Sequence, residues 1–205
     1  MAFIEATPFN ESTGDARVMF ARQQARFGYV PNYAKVFGDR PDIMNLWANL
    51  LAGIRRHVDP RRFELVTFAA ARELGSSYCA LAHAKVLQEK FLTLEEMLAL
   101  AAGDHGSLSE AEAAMMEVAR KVVADSSSVT REDVERLRNT GLREEEIFDV
   151  VAVAAARAFF AKLVDALGAE PDASFMGMEE DLRARLTVGR PIALEETERM
   201  EEGEL

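Results

Sequence analysis

ELVTFAAARELGSSYCALAH, residues 64–83, is the stretch from which both fold and chemistry are read. It holds the one cysteine of the chain, Cys79, and one of its three histidines, His83. Gly75, Ser76 and Ser77 mark one helix ending and another beginning. Glycine tolerates the left-handed conformation past a helix end, and a serine oxygen accepts free N–H groups of the next helix. Cys79 then falls in the first turn of the second helix, and His83 lies one turn on, on the same face. Glu64 lies on the preceding helix, and a helical hairpin brings it toward the same spot. A thiolate is the nucleophilic form of cysteine, and a free thiol titrates near ~8.5. A helix N-terminus supplies partial positive charge and an adjacent imidazole accepts the proton. The bland alternative is packing, since cysteine is among the most buried residue types.

Outward from this stretch the chain reads as helices. Upstream, residues 1–10 form an extended arm and 14–26 a weakly amphipathic helix with Val18, Met19 and Ala25 inward. A break at 28–32 follows, then a short turn carrying Tyr33, Val36 and Phe37. Ile43, Leu46, Trp47, Leu50, Leu51 and Ile54 recur at helical spacing and predict an inward stripe. Arg55, Arg56 and His57 complement the dipole at the end of that helix. Asp59 and Pro60 open the next helix, with Phe63, Val66, Ala70 and Leu74 inward. On that face count Glu64 reads as a solvated carboxylate.

Downstream, Ala80, Ala84, Leu87 and Phe91 form a second stripe beside Cys79 and His83. Thr93 caps a short helix, His105 lies in a solvated loop, and Ser109 with Glu112 forms a capping box. Thr130 opens a further helix. The longest helix, 144–167, is apolar on nearly all sides, which places it in a bundle centre or an oligomer interface. Residues 172–205 shift in composition: one more helix, a turn at 187–191 and an acidic tail. The tail reads as a frayed terminus or as an arm on a partner subunit anchored by Met176 and Met178. No alternating strand pattern stands out, so the fold is expected to be all-α.

The stretch 64–83 resembles the core motif of the alkyl hydroperoxidase D family, within the carboxymuconolactone decarboxylase-like superfamily. That motif is a glutamate followed twelve residues later by Cys-x-x-Cys-x-x-x-His. Glu64, Ser76, Cys79 and His83 occupy its places, and Tyr78 before the second cysteine is common among relatives. YVPNYAKVF upstream and LSEAEAAMMEVARKV through ALGAEP downstream resemble the subgroup of uncharacterised peroxidase-related proteins. The likeness covers about residues 29–171. It implies an AhpD-like helical bundle, a single domain overall with an N-terminal arm and helix (1–28), a core (29–171) and a C-terminal extension (172–205). It also implies a homo-oligomer, dimer or hexamer, and no cofactor or metal. The departure is Ser76, which replaces the resolving cysteine and cannot form a disulfide.

Composition agrees. At 205 residues and 49% hydrophobic the chain can bury one sizeable core. Its formal net charge of -11 disfavours nucleic acid and anionic membranes as partners. One cysteine excludes an internal disulfide, and the N-terminus lacks the look of a signal peptide, so a cytoplasmic location is expected. The three histidines and one cysteine lack zinc spacing.

The function implied is reduction of hydroperoxides. Cys79 attacks, His83 and Glu64 act as a base relay, Ser76 either donates to the thiolate or caps the helix, and Tyr78 completes the motif. An external thiol then resolves the oxidised sulfur. One alternative is a carboxymuconolactone decarboxylase-like lyase in which Glu64 and His83 do acid–base work on an organic acid, with Arg72 or Arg157 as the basic residue. Another is a non-enzymatic helical oligomer that keeps the motif as packing.

Overall fold

The computed structural model describes residues 2–5 and 7–194. Among them the regular structure is helical throughout: α1 (Gly14–Phe27), α2 (Asn32–Val36), α3 (Pro41–Arg55), α4 (Pro60–Glu73), α5 (Ser77–Lys90), α6 (Leu94–Ala101), α7 (Glu110–Asp125), α8 (Arg131–Asn139), α9 (Glu144–Ala166) and α10 (Glu180–Leu186), with 3-10 turns at Ser126–Ser128 and Ala173–Gly177. The all-α expectation holds.

Local chemistry sets the boundaries. Asp59 accepts the N–H of Arg62 and Pro60 follows at the first helical position, so α4 starts there. Thr93 with Glu96, Ser109 with Glu112, and Thr130 with Asp133 form reciprocal capping boxes for α6, α7 and α8. Gly75 ends α4 at φ 67°, where a side chain would be strained. Its N–H bonds to Arg72 O and that of Ser76 to Ala71 O, the paired bonds of a Schellman turn. This turn folds α5 back onto α4.

α4 is the axis of the bundle. Nine consecutive residues, Phe63 to Ala71, are buried, and the helix packs against α5, α7 and α9. The run of Ala69, Ala70 and Ala71 leaves room for close neighbours. Phe63, Leu65, Phe68, Leu81, Leu87, Met97, Met115 and Met116 fill the space around it. Each such side chain contributes about 1.5–3 kcal/mol by leaving water.

Several inward assignments are corrected. On α1, Met19 and Phe20 are buried, whereas Val18 and Ala25 face solvent. On α3 only Met44 is fully buried, while Leu46 and Leu50 are 65% and 57% exposed. The helical period locates the stripe, but α3 lies on the outside and buries only the part that meets α9 and α1. Against α9, Trp47 Nε1 donates to Ala156 O at 3.1 Å. α9 buries nine of its 23 residues yet leaves Phe148, Val151 and Phe159 exposed. The helix enclosed on all sides is α4, not α9.

Residues 172–194 pack on the core. Leu182 and Leu186 of α10 are fully buried, and Met178 is half-buried while Met176 is exposed. Beyond α10 the chain crosses the α4–α5 turn. Gly189 N donates to Ser77 Oγ at 2.7 Å, Arg190 donates to Asp165 O, and Ala193 N donates to Pro171 O. A Cβ on Gly189 would meet Gly75 O at 2.1 Å, so this crossing requires glycine. At the other end, Phe3 N donates to Leu167 O. The acidic tail from 195 onward lies outside the described residues.

Candidate active site

The α4–α5 hairpin carries the sequence-selected residues. Glu64 is buried, 3% exposed, which corrects its reading as a surface carboxylate. It faces α5 because α4 is enclosed and has no solvated side there. Its Oε2 accepts from His83 Nδ1 at 2.6 Å, and its Oε1 pairs with Arg55 Nη2 at 3.4 Å. Thr67 Oγ1 lies 3.2 Å from the same His83 nitrogen, while its hydroxyl lies 2.8 Å from Phe63 O and 3.0 Å from Glu64 O. Either carbonyl uses the one hydroxyl hydrogen, so a lone pair faces the imidazole. A carboxylate and a lone pair both face Nδ1, which assigns the hydrogen to Nδ1 and leaves Nε2 as the basic nitrogen.

The charges agree with this tautomer. Burial pushes Glu64 up, but the hydrogen bond from His83 and the nearby Arg55 and Arg157 cations hold its carboxyl below the ordinary range. Burial and the Arg157 cation lower His83, against the pull of Glu64. Near neutral pH the pair is therefore carboxylate and neutral imidazole. The His83 side chain keeps 13% of its surface exposed, so the site has an edge open to solvent.

Cys79 is buried at the third position of α5. Its sulfur meets a residue from a distant part of the chain: Arg157 Nη1 of α9 donates to Sγ at 3.7 Å. Arg157 is itself buried and lies over the rings of Trp47 and Phe160, 5.6 and 5.4 Å from their centroids. Trp47 stacks on Phe160 at 4.3 Å, so α3 and α9 together form an aromatic clamp for the guanidinium.

The other motif residues lead elsewhere. Ser76 is fully buried and its Oγ makes no hydrogen bond. It neither caps α5 nor donates to Cys79, which corrects both expected uses. Burial raises the Asp165 carboxyl, against the lowering effect of the nearby Ser76 hydroxyl and the Arg190 cation. The Tyr78 hydroxyl donates to Asp172 Oδ2 and accepts from Tyr33 N at 3.4 Å. Asp172 Oδ1 in turn accepts from Asn32 N at 2.8 Å. Arg72 donates to Arg185 O and does not join the site. His57 is exposed and His105 half-buried, and neither is near this cluster's hydrogen bonds. Among the described residues no group of three or more His, Cys, Asp or Glu could hold a metal ion.

Sequence reasoning missed Thr67, the pairing of Arg55 with Glu64, and Arg157 as a neighbour of the sulfur. A signal for the last was present: a lone arginine inside VVAVAAARAFFA is a buried cation in need of company.

The comparisons fit this picture. The family model described as Carboxymuconolactone decarboxylase family matches residues 41–121. Among curated proteins, none matches the sequence. Among solved structures, one of the alkylhydroperoxidase AhpD core, an uncharacterised peroxidase-related protein from Ralstonia eutropha JMP134, superposes with TM-score 0.72 at 21% identity, covering 86% of this chain and 95% of that one. An uncharacterised peroxidase-related protein from Silicibacter sp. TM1040 gives 0.74 at 18% identity, with the same coverage of 86% and 95%. The debrominase Bmp8, solved as a cysteine-to-alanine variant with 2,3,4-tribromopyrrole, gives 0.68 at 16% identity over 88% of this chain and 94% of that one. Residues 41–121 thus resemble the carboxymuconolactone decarboxylase family, and the chain shares the all-helical fold of these AhpD-like structures.

Proposed function

We propose that this protein reduces hydroperoxides through Cys79, with an external thiol as reductant. The observation that carries the reading is the Glu64–His83 hydrogen bond at 2.6 Å, which fixes a basic Nε2 on the helix face shared with Cys79. The Cys79 proton passes to His83 Nε2, directly or through a water. The sulfur attacks the terminal oxygen of ROOH, the O–O bond breaks, and the departing alkoxide takes a proton from His83 to give ROH. Cys79 is left as sulfenic acid. An external thiol condenses with it, releasing water and forming a mixed disulfide, and a second thiol returns Cys79. With serine at position 76 no internal disulfide can intervene. Tyr78 serves this site by tying the start of α5 to Asp172.

The test is trapping. Wild-type protein treated with cumene hydroperoxide should gain one oxygen at Cys79, captured by dimedone, and His83→Ala should slow this about 100-fold. An unchanged rate in His83→Ala would sink the relay.

A lyase reading is favoured by one observation, the presence of a basic residue, Arg157, beside Glu64 and His83. It expects organic-acid turnover that survives Cys79→Ala.

The protein is further proposed to act as a homo-oligomer. Phe148 at 71% exposure, with Val151 and Phe159, lines the outer side of α9, and Leu46 and Leu50 line the adjoining α3. Light scattering should give a multiple of the 22.7 kDa chain mass, and a monomer at micromolar concentration would overturn this. No helix among the described residues is long and apolar enough to cross a membrane.

A further inference from the structure

Arg157 is the buried group that the proton relay leaves unused. It sits in the apolar middle of α9 at 5% exposure and forms no ion pair with a carboxylate among the described residues. Ring faces of Trp47 and Phe160 meet part of its charge, and its Nε has no acceptor at all. A buried donor without a partner is costly, and a buried cation without a counter-charge more so. The nearest carboxylate, Glu64, is taken up by Arg55 and His83, so Arg157 has no carboxylate partner of its own. The atom that Arg157 touches, Cys79 Sγ, is placed to carry one negative charge beside it.

We propose that Arg157 is a catalytic residue that holds this one negative charge through the reaction, first on the Cys79 sulfur and then on the oxygen that leaves. The inference rests on the hydroperoxide reading above. As the S–O bond forms and the O–O bond breaks, the electron pair moves from sulfur to the departing oxygen, and the charge count of the site does not change. Nη1 faces the sulfur and carries two N–H groups, so the guanidinium can follow the charge from one atom to the next. The need is greatest for a neutral alkyl hydroperoxide, whose basic alkoxide requires stabilisation as it departs. Peracids, whose carboxylate leaves readily, need it less.

The experiment compares second-order rates of Cys79 oxidation by tert-butyl hydroperoxide and by peracetic acid at one pH. Alkylation by iodoacetamide reports the available thiolate. Arg157→Met should slow alkylation and peracetic acid by a common factor, and tert-butyl hydroperoxide by about tenfold more. Arg157→Lys should restore the ratio of the two peroxides to within about threefold of wild type. Trp47, the single tryptophan, stacks in the clamp, so its emission reports whether a variant keeps the site packed. If the Met variant loses that emission, Arg157→Gln takes its place with the same expected drop. Equal slowing of both peroxides overturns the leaving-group role. A wild-type Cys79 that is alkylated but inert to both peroxides overturns the hydroperoxide reading, and this inference with it.

Discussion

Tyr78 and Cys79 are neighbours in sequence and opposites in environment. The Tyr78 hydroxyl sits in a closed network in which Asp172 and the Tyr33 and Asn32 backbone all have partners. Cys79 faces an open one, where Arg157 keeps an N–H without an acceptor. A closed polar network gains nothing more from a ligand, so it holds structure. An open one gains from the arrival of charge, so it is suited to chemistry. One turn of α5 thus ties Asn32 and Asp172 together on one side and presents a sulfur on the other.

Breaking either side separates the two roles. The largest effect is expected from Cys79→Ala, which should abolish peroxide-dependent oxidation while lowering stability by only about 1 kcal/mol; intact mass and urea unfolding report the two. Glu64→Gln keeps a hydrogen-bond acceptor but loses the charge, and should slow oxidation of Cys79 by about 10–100-fold. Tyr78→Phe should do the reverse. It leaves one oxygen of the buried Asp172 without its donor and should cost about 1–3 kcal/mol in urea, with the oxidation rate within about twofold of wild type. A large rate loss in Tyr78→Phe would show that the two sides are one network. Ser76→Cys should yield an internal disulfide after peroxide, seen as a loss of two hydrogens, and should resist over-oxidation. Failure to pair would show that the buried position of residue 76 holds its side chain away from Cys79.

The smallest effect is on stability against pH. His83 is held below its ordinary 6.5 and Glu64 below its ordinary 4.5. Just below each ordinary value the unfolded chain binds more protons than the native one, so stability falls as the pH is lowered through these windows. His83→Gln should flatten the upper part of that slope, just below 6.5, in thermal melts. An unchanged slope would place the acid sensitivity elsewhere.

Much of this was legible in the sequence because it is local. Asp59-Pro60, Gly75 and the Ser109 box mark helix ends through contacts a few residues apart. Cys79 and His83 share a face by spacing alone. Glu64 came from family likeness, since its face count argued for solvent; what buries it is enclosure of α4 by three helices, a fact of tertiary packing. Leu46 and Leu50 show the limit from the other side. Helical period says which residues lie together, not whether a neighbour covers them. The contact of Arg157 with Cys79 spans 78 positions and two helices, and no local rule reports it.

The crossing of Gly189 over the α4–α5 turn has a bearing on biosynthesis. A ribosome delivers residues 64–83 first, and Arg157 and Gly189 only 78 and 112 positions after their partners Cys79 and Ser77. For that interval the nascent thiol has no guanidinium beside it and no strap across the turn. Assembly of the reactive environment is thereby deferred until translation has passed residue 189, so the sulfur meets its reactive setting only after more than a hundred further residues have been made.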